Sequence, residues 1–331
     1  MANKNHWPLH SAVKEETFPK LLIAVSALIC LLFVYRFKQA LGASREFFGT
    51  EDFGVEFCGY GIWGHLRVFT LPLMIMCVYY ASKRRWYLWL FILLFAAVNF
   101  VYQVKGWVII PCVAGLCLRF YTGKSHMNMR FVLLLLLSIF GIFALSYIVL
   151  PLIGETLEMS DELVEFVFGH VFHYLVSGTT GFSVDRQLDY PDARPFEVIF
   201  APFVNMFNVL TGEREMLSPV NPYYVSTGIN MTNVRTFFGT LYTCSNRLEF
   251  AIYTLGISSL CYLIKLATIR FNNIYVYTIY FFQLGLLAMG WFEFYFFHLA
   301  DIEFPIIVLG LLMADRMLRP KEKQPLIAEC L

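Results

Sequence analysis

A chain of 331 residues that is 58% hydrophobic, 18% aromatic and only 15% charged, with a mean hydropathy of +0.62, is too apolar for an ordinary soluble domain. The composition points to a polytopic membrane protein, in which Trp and Tyr are favoured at the two interfaces. A formal charge of +1 identifies no partner and gives no reason to expect nucleic acid.

Apolar runs lie near residues 21–35, 66–82, 86–102, 107–121 and 131–153, and again near 250–269, 275–294 and 304–317. Crossing about 30 Å of hydrocarbon takes roughly 20 helical residues. The expectation is an all-α bundle of about eight spans, a single integral membrane domain over 1–331. The first run follows a charged, Pro-containing segment and lacks a small-residue cleavage pattern, so it reads as a retained span and not a signal peptide. Orientation follows from basic residues near helix ends. Lys83, Arg84 and Arg85; Arg119, Lys124 and Arg130; Lys265 and Arg270; and Arg316, Arg319, Lys321 and Lys323 all fall on one side. That side is expected to be cytoplasmic, with both termini. The 36–65 loop, the turn at Lys105, the 154–248 loop and the turn at Asp301 are then external, and only Arg36, Lys38, Arg45 and Arg67 oppose the bias.

The long external loop, 154–248, holds most of the chemistry-bearing residues. Ser160 is placed to cap a helix over 161–176. Leu163, Val164, Val167, Phe168, Val171, Phe172 and Leu175 form its apolar stripe, and His170 and His173 are one turn apart. The run SGTTGF (177–182) is expected to break that helix as a turn. A polar, Pro-interrupted stretch follows at 185–194, then a second amphipathic piece at 196–210, and Pro219 and Pro222 open an irregular stretch toward Asn233. Cys30, Cys77, Cys112, Cys117 and Cys261 sit in apolar runs, where a free Cys acts as a small hydrophobe. Cys58 and Cys244 are on the external side, the one pair that an oxidising compartment could join as a disulfide.

Three segments carry a likeness to a known family. HYLVSGTTGF (173–182) resembles the turn that opens the large periplasmic loop of bacterial oligosaccharide repeat unit polymerases, the Wzy-type O-antigen and capsule polymerases. NVRTFFGTLY (233–242) resembles the motif near the end of that loop, and KGWVIIPCVAGLCLRFYTGK (105–124) resembles their span with basic residues at both ends. The three occur in the expected order. Two departures stand beside them. Family members often have ten or more spans, and after Tyr242 the sequence runs Thr243-Cys244-Ser245-Asn246-Arg247 where an aromatic residue and a glycine are expected.

The resemblance implies a GT-C-like membrane glycosyltransferase of the bacterial inner membrane, working on undecaprenyl-pyrophosphate-linked oligosaccharides at the periplasmic face, with a chain-length regulator as a further partner. Such chemistry needs cations on the pyrophosphate leaving group and a proton acceptor for the attacking hydroxyl. Arg235 is the favoured cation, with Lys105, Arg186 and Arg194 as helpers, because a guanidinium fork and an ammonium both suit phosphate oxygens. The proton acceptor is left open among His173, His170, Asp185 and Glu249, with Glu293, His298, Asp301 and Glu303 as another polar group at the same face. Asn233 and Tyr242 are candidates for sugar contacts, while Phe237 and Phe238 are expected to bury. Asp189 and Asp192 are too loosely spaced for a metal-binding pair, so no metal and no cofactor is expected. Two other readings stand beside this one: a flippase or exporter of lipid-linked sugars, and a ligase or acyltransferase of the same envelope pathways. Charge concentrated at one face and the lack of internal repeats favour the enzyme.

Overall fold

In hydrocarbon every backbone N–H and C=O must find its partner within the segment, so long apolar runs become helices. The computed structural model of the chain describes residues 19–44, 47–102, 104–126, 128–130, 132–133, 137, 141, 161–187, 197–212, 217, 224–228 and 230–318. The protein is an all-α membrane protein. Among the described residues, α1 (Lys20–Ser44), α3 (Gly61–Tyr80), α9 (Arg247–Phe271) and α10 (Ile274–Ala288, continued by a 3-10 turn to Trp291) are long and apolar enough to cross a membrane. The shorter α4 (Tyr87–Val101) and α5 (Gly106–Tyr121) and the terminal α11 (Leu299–Leu318) coincide with three more apolar runs. The run near 131–153 lies largely outside the described residues.

The centre of the bundle is α3 against α5, with α10 and α11 completing it. Small residues set the spacing. A Cβ added at Gly115 would lie 2.7 Å from the Val78 Cβ, and one at Gly285 would lie 3.0 Å from Ile110. Phe282 and Phe304 stack at 3.7 Å to join α10 to α11. By contrast α9 turns Ile252, Leu255, Tyr262, Leu263 and Ile269 outward, as a lipid-facing helix should.

Two of the basic clusters meet at the end of α3. Arg119, in the last turn of α5, donates to the carbonyls of Val78, Tyr79 and Ala81 at the end of α3. Lys124 lies 3.8 Å from the Tyr79 ring centroid, Arg85 lies over Tyr80, and Tyr121 meets Tyr277 at the start of α10. Two cations that oppose the charge bias have partners of their own at the opposite end. Arg36 pairs with Glu56 on the short helix α2 (Glu51–Cys58) at 2.9 Å, and Arg67 lies buried over the Tyr102 ring at 4.0 Å and beside Asn99.

Three local expectations are corrected. SGTTGF does not break the helix: α6 runs unbroken from Asp161 to Gln187. Its glycines are used for close approach, since a Cβ at Gly178 would lie 2.3 Å from Phe292 O and one at Gly181 would lie 2.7 Å from Val234 O. The stretch toward Asn233 is not wholly irregular either. Val225–Ser226 (β1) and Met231–Thr232 (β2) pair as a short antiparallel ladder, with Gly228 at φ +82 in the connection. Finally, Cys58 and Cys244 are not joined as a disulfide; both are buried, and the Cys58 Sγ faces Val98 O.

Helix α6 is inverted in polarity. His173, Ser177, Gly178, Gly181 and Asp185 turn inward, while Phe168, Phe172 and Leu175 are exposed. Next in the chain, α7 (Glu197–Thr211) exposes Met206, Phe207, Val209 and Leu210, and the short α8 (Phe237–Thr243) is capped by Thr236, whose Oγ1 accepts from Gly239 N.

Candidate functional site

The segment 233–242 reaches the bundle through one buried ion pair. Arg235, 1% exposed, donates from Nε to Asp185 Oδ2 at 2.5 Å and from Nη2 to Oδ1 at 2.9 Å, while Nη1 donates to Thr232 O and Val234 O. The fork-on-carboxylate geometry explains why Arg and Asp stand here, because only a planar guanidinium matches both carboxylate oxygens at once. Gly181, one turn before Asp185, lets the Arg235 loop lie flat on α6. A second bond, Thr236 N to Gly178 O, fixes the register of the two segments.

This clasp forms one wall of a pocket. Asn233, Arg235 and Thr240 line it from the motif segment, Glu293, Phe294, Phe296, Phe297 and His298 from the turn between α10 and α11, and Ile199 and Pro202 from α7. The enclosed volume is about 30 Å³, room for only a water or two, so a sugar enters only when a wall moves. Phe237 packs on Phe294 and Phe296 and holds α8 against the turn.

Lys105 belongs to the same end of the molecule. Its Nζ lies 4.9 Å from the Tyr174 ring, Tyr174 meets Phe292, and Gly106 abuts the Tyr295 hydroxyl. The three family-like segments, at 105, 173–182 and 233–242, therefore converge around one turn, 292–298.

That turn carries the site's perturbed titrations. Burial pushes the Glu293 carboxyl up to about 7, against a hydrogen bond with Tyr295 that holds it down. The Tyr295 phenol is raised well above its ordinary value by burial and by Glu293. His298 is lowered by burial and stays neutral; its Nε2 donates to Phe294 O at 3.1 Å, which leaves Nδ1 as an acceptor. A carboxyl near neutrality beside a neutral imidazole suits proton transfer at ordinary pH.

The remaining candidates separate. His173 is 5% exposed on the inward face of α6, and among the described residues its Nδ1 has no hydrogen-bond partner. His170 is on the same helix, but its side chain lies outside the described residues, as does all of Arg194. Arg186 is exposed in the last turn of α6. Tyr242 is 54% exposed and packs edge-on against Phe182. Phe237 buries as expected, whereas Phe238 is exposed. Glu249 is a structural carboxylate: it accepts from Asn246 N while the Asn246 side chain accepts from Glu249 N, a capping box that starts α9. Glu303 pairs with His65 at 2.6 Å, and Asp301 accepts from Gln283 and from Phe297 N. The sequence offered Glu293 only as one of a group and gave no reason to name Tyr295; an ionisable residue inside the aromatic run WFEFYFFH (291–298) was the available signal.

A family model described as "Family of unknown function (DUF6337)" matches residues 4–320. No curated protein and no solved structure matches the chain.

Proposed function

The chain belongs to the DUF6337 family, and we propose that this member is a membrane glycosyltransferase that elongates a polysaccharide from polyprenyl-pyrophosphate-linked repeat units. The observation that carries the reading is the convergence of the Lys105–Gly106 turn, the HYLVSGTTGF face of α6 and the NVRTFFGTLY segment on one turn, 292–298. Residues 105, 174 and 235 are far apart in the chain, and their segments all pack on this turn. In this reading the bundle is GT-C-like, sits in the bacterial inner membrane with both termini cytoplasmic, and presents the pocket to the periplasm.

The acceptor sugar hydroxyl attacks the anomeric carbon of the lipid-linked donor, its proton passes to the Glu293 carboxylate, and the bond from that carbon to the pyrophosphate oxygen breaks. Undecaprenyl pyrophosphate leaves with both electrons of the broken bond. Lys105, aided by Arg186, offsets the charge that develops on the leaving group. Asn233 and Tyr242 contact the sugars. Arg235 acts through Asp185, holding the motif segment in place, so it is a positioning residue more than a phosphate ligand. Relative to the sequence reading, Glu293 takes the proton-accepting role first offered to His173, His170 and Asp185.

Deletion of the coding sequence followed by a gel of surface polysaccharide tests the reading. Loss of a polymerase leaves core lipid bearing a single repeat unit, whereas loss of a flippase or a ligase leaves core lipid bearing none. Glu293→Gln should reproduce the deletion at normal expression; a full ladder from that variant removes Glu293 from the reaction.

A further inference from the structure

From Phe57 to Gly154 the chain holds eight Lys and Arg and not one Asp or Glu. Three of the eight, Lys83, Arg84 and Arg85, form the 3-10 turn between α3 and α4, and among the described residues none of the three makes an ion pair. The end of α5 comes to the same place, since Arg85 and Lys124 approach one ring, Tyr80, at 5.7 and 4.8 Å. Arg119 is fixed there by Ser125 Oγ at its Nε and by three carbonyls at its Nη1, while its Nη2 makes no hydrogen bond among the described residues. Asp315, in the last turns of α11, is buried and adds no carboxylate to the surface. Rings and carbonyls do not neutralise a cation, so the charge of the Lys83–Arg85 turn is left standing.

That turn leads straight into an apolar stripe. Trp86, Trp89, Leu90 and Leu93 recur at the i, i+3, i+4 and i+7 spacing of one helical face, and all four are exposed. Trp is favoured at headgroup depth and Leu beyond it in hydrocarbon. The cations therefore stand at headgroup level, with apolar side chains running from them toward the bilayer interior. A soluble anion would use only the first of these features, whereas a lipid with an anionic head and acyl chains uses both.

We propose that this corner of the bundle binds an anionic glycerophospholipid, its phosphate held by Lys83 and Arg84 with Arg119 beside them, and its acyl chains lying along Trp86, Trp89, Leu90 and Leu93. A choline headgroup brings a cation of its own and gains little here. The corner lies at the far end of α5 from Lys105, so the proposal is independent of the transferase reading.

The full chain in dodecyl maltoside micelles is titrated with dioleoylphosphatidylglycerol or dioleoylphosphatidylcholine, and bound lipid is read by native mass spectrometry. Phosphatidylglycerol should bind at least tenfold more tightly, because each Lys or Arg at an anionic lipid surface is worth about fivefold in affinity. Lys83→Gln/Arg84→Gln, at two exposed positions, should weaken it at least tenfold and leave phosphatidylcholine binding within twofold. The charge-preserving Arg84→Lys should keep tight binding, which separates lost charge from lost fold. Lys265→Gln/Arg270→Gln, which removes two exposed cations from α9, should leave phosphatidylglycerol binding within threefold, and excess inorganic phosphate should leave it within twofold. Equal affinity for the two lipids, or an equal loss from the α9 variant, would reduce the corner to unspecific charge and overturn the proposal. Displacement by inorganic phosphate would also overturn it, by assigning the cations to soluble anions.

Discussion

The two ends of the bundle handle charge differently. At the basic end, cations are met by neutral partners: Arg119 by three carbonyls of α3, and Lys124 and Arg85 by tyrosine faces. At the other end Arg67 and Lys105 also lie over tyrosine rings, but there ion pairs join them, Arg235 with Asp185 and Arg36 with Glu56. Carbonyls and rings leave a cation's net charge in place, which suits a surface that fixes orientation in the membrane. Paired charges cancel at a distance and specify geometry nearby, which suits a site.

That contrast predicts where substitutions hurt. Asp185→Ala should have the largest effect on stability, because it leaves a buried guanidinium without its carboxylate, at a cost of about 3–5 kcal/mol. Thermal melting of the purified protein in detergent checks this, and the double variant Asp185→Leu/Arg235→Met should recover much of the loss. If Asp185→Ala melts like the wild type, the clasp is not what fixes the motif segment.

Activity gives the next test. With Glu293 pushed up to about 7, transfer needs its carboxylate, so the rate should fall about tenfold for each pH unit below that value. Glu293→Gln should lower turnover about 100- to 10,000-fold and erase that limb. The sign for stability is opposite. A carboxyl raised on folding stabilises the fold below its ordinary value, and that contribution is lost as pH rises through about 7. Melting temperature should therefore drop between pH 5 and pH 8 in the wild type by more than in Glu293→Gln.

Smaller effects sharpen the picture of α6. Gly181→Ala would push a methyl to 2.7 Å from a backbone carbonyl of the motif segment and should cost about 1–3 kcal/mol. Gly169→Ala, in the same helix and with nothing within 4 Å among the described residues, should stabilise by roughly 0.5–1 kcal/mol. Equal effects in a melting assay would deny that the glycines serve close approach. At the basic end, Lys124→Ala should cost only about 0.5–1 kcal/mol.

Much of this architecture is legible in the sequence where the physics is local. Apolar runs announce the helices. Asn246-x-x-Glu249 was readable as a capping box, although it was weighed as chemistry. SGTTGF misled because two glycines in six residues weaken a helix locally, and only its neighbours Phe292 and Val234 reveal why they are there. For the site, Lys105, Asn233 and Arg235 were legible as a group, but the Arg235–Asp185 pairing spans 50 residues and has no local signal. Glu293 was obscured for the same reason: its environment is built by the turn's contacts with α6, α7 and the motif segment.

The left-handed backbone at Phe297 acts as a loaded spring. Residues held in such regions cost of order 1–3 kcal/mol, which here the Asp301–Gln283 pair sustains. Any occupant that displaces the ring and lets the chain relax to negative φ would recover that energy as tighter association, roughly 5- to 150-fold. Phe297→Gly, which tolerates the twist freely, would discharge the spring beforehand and leave an occupant nothing to release.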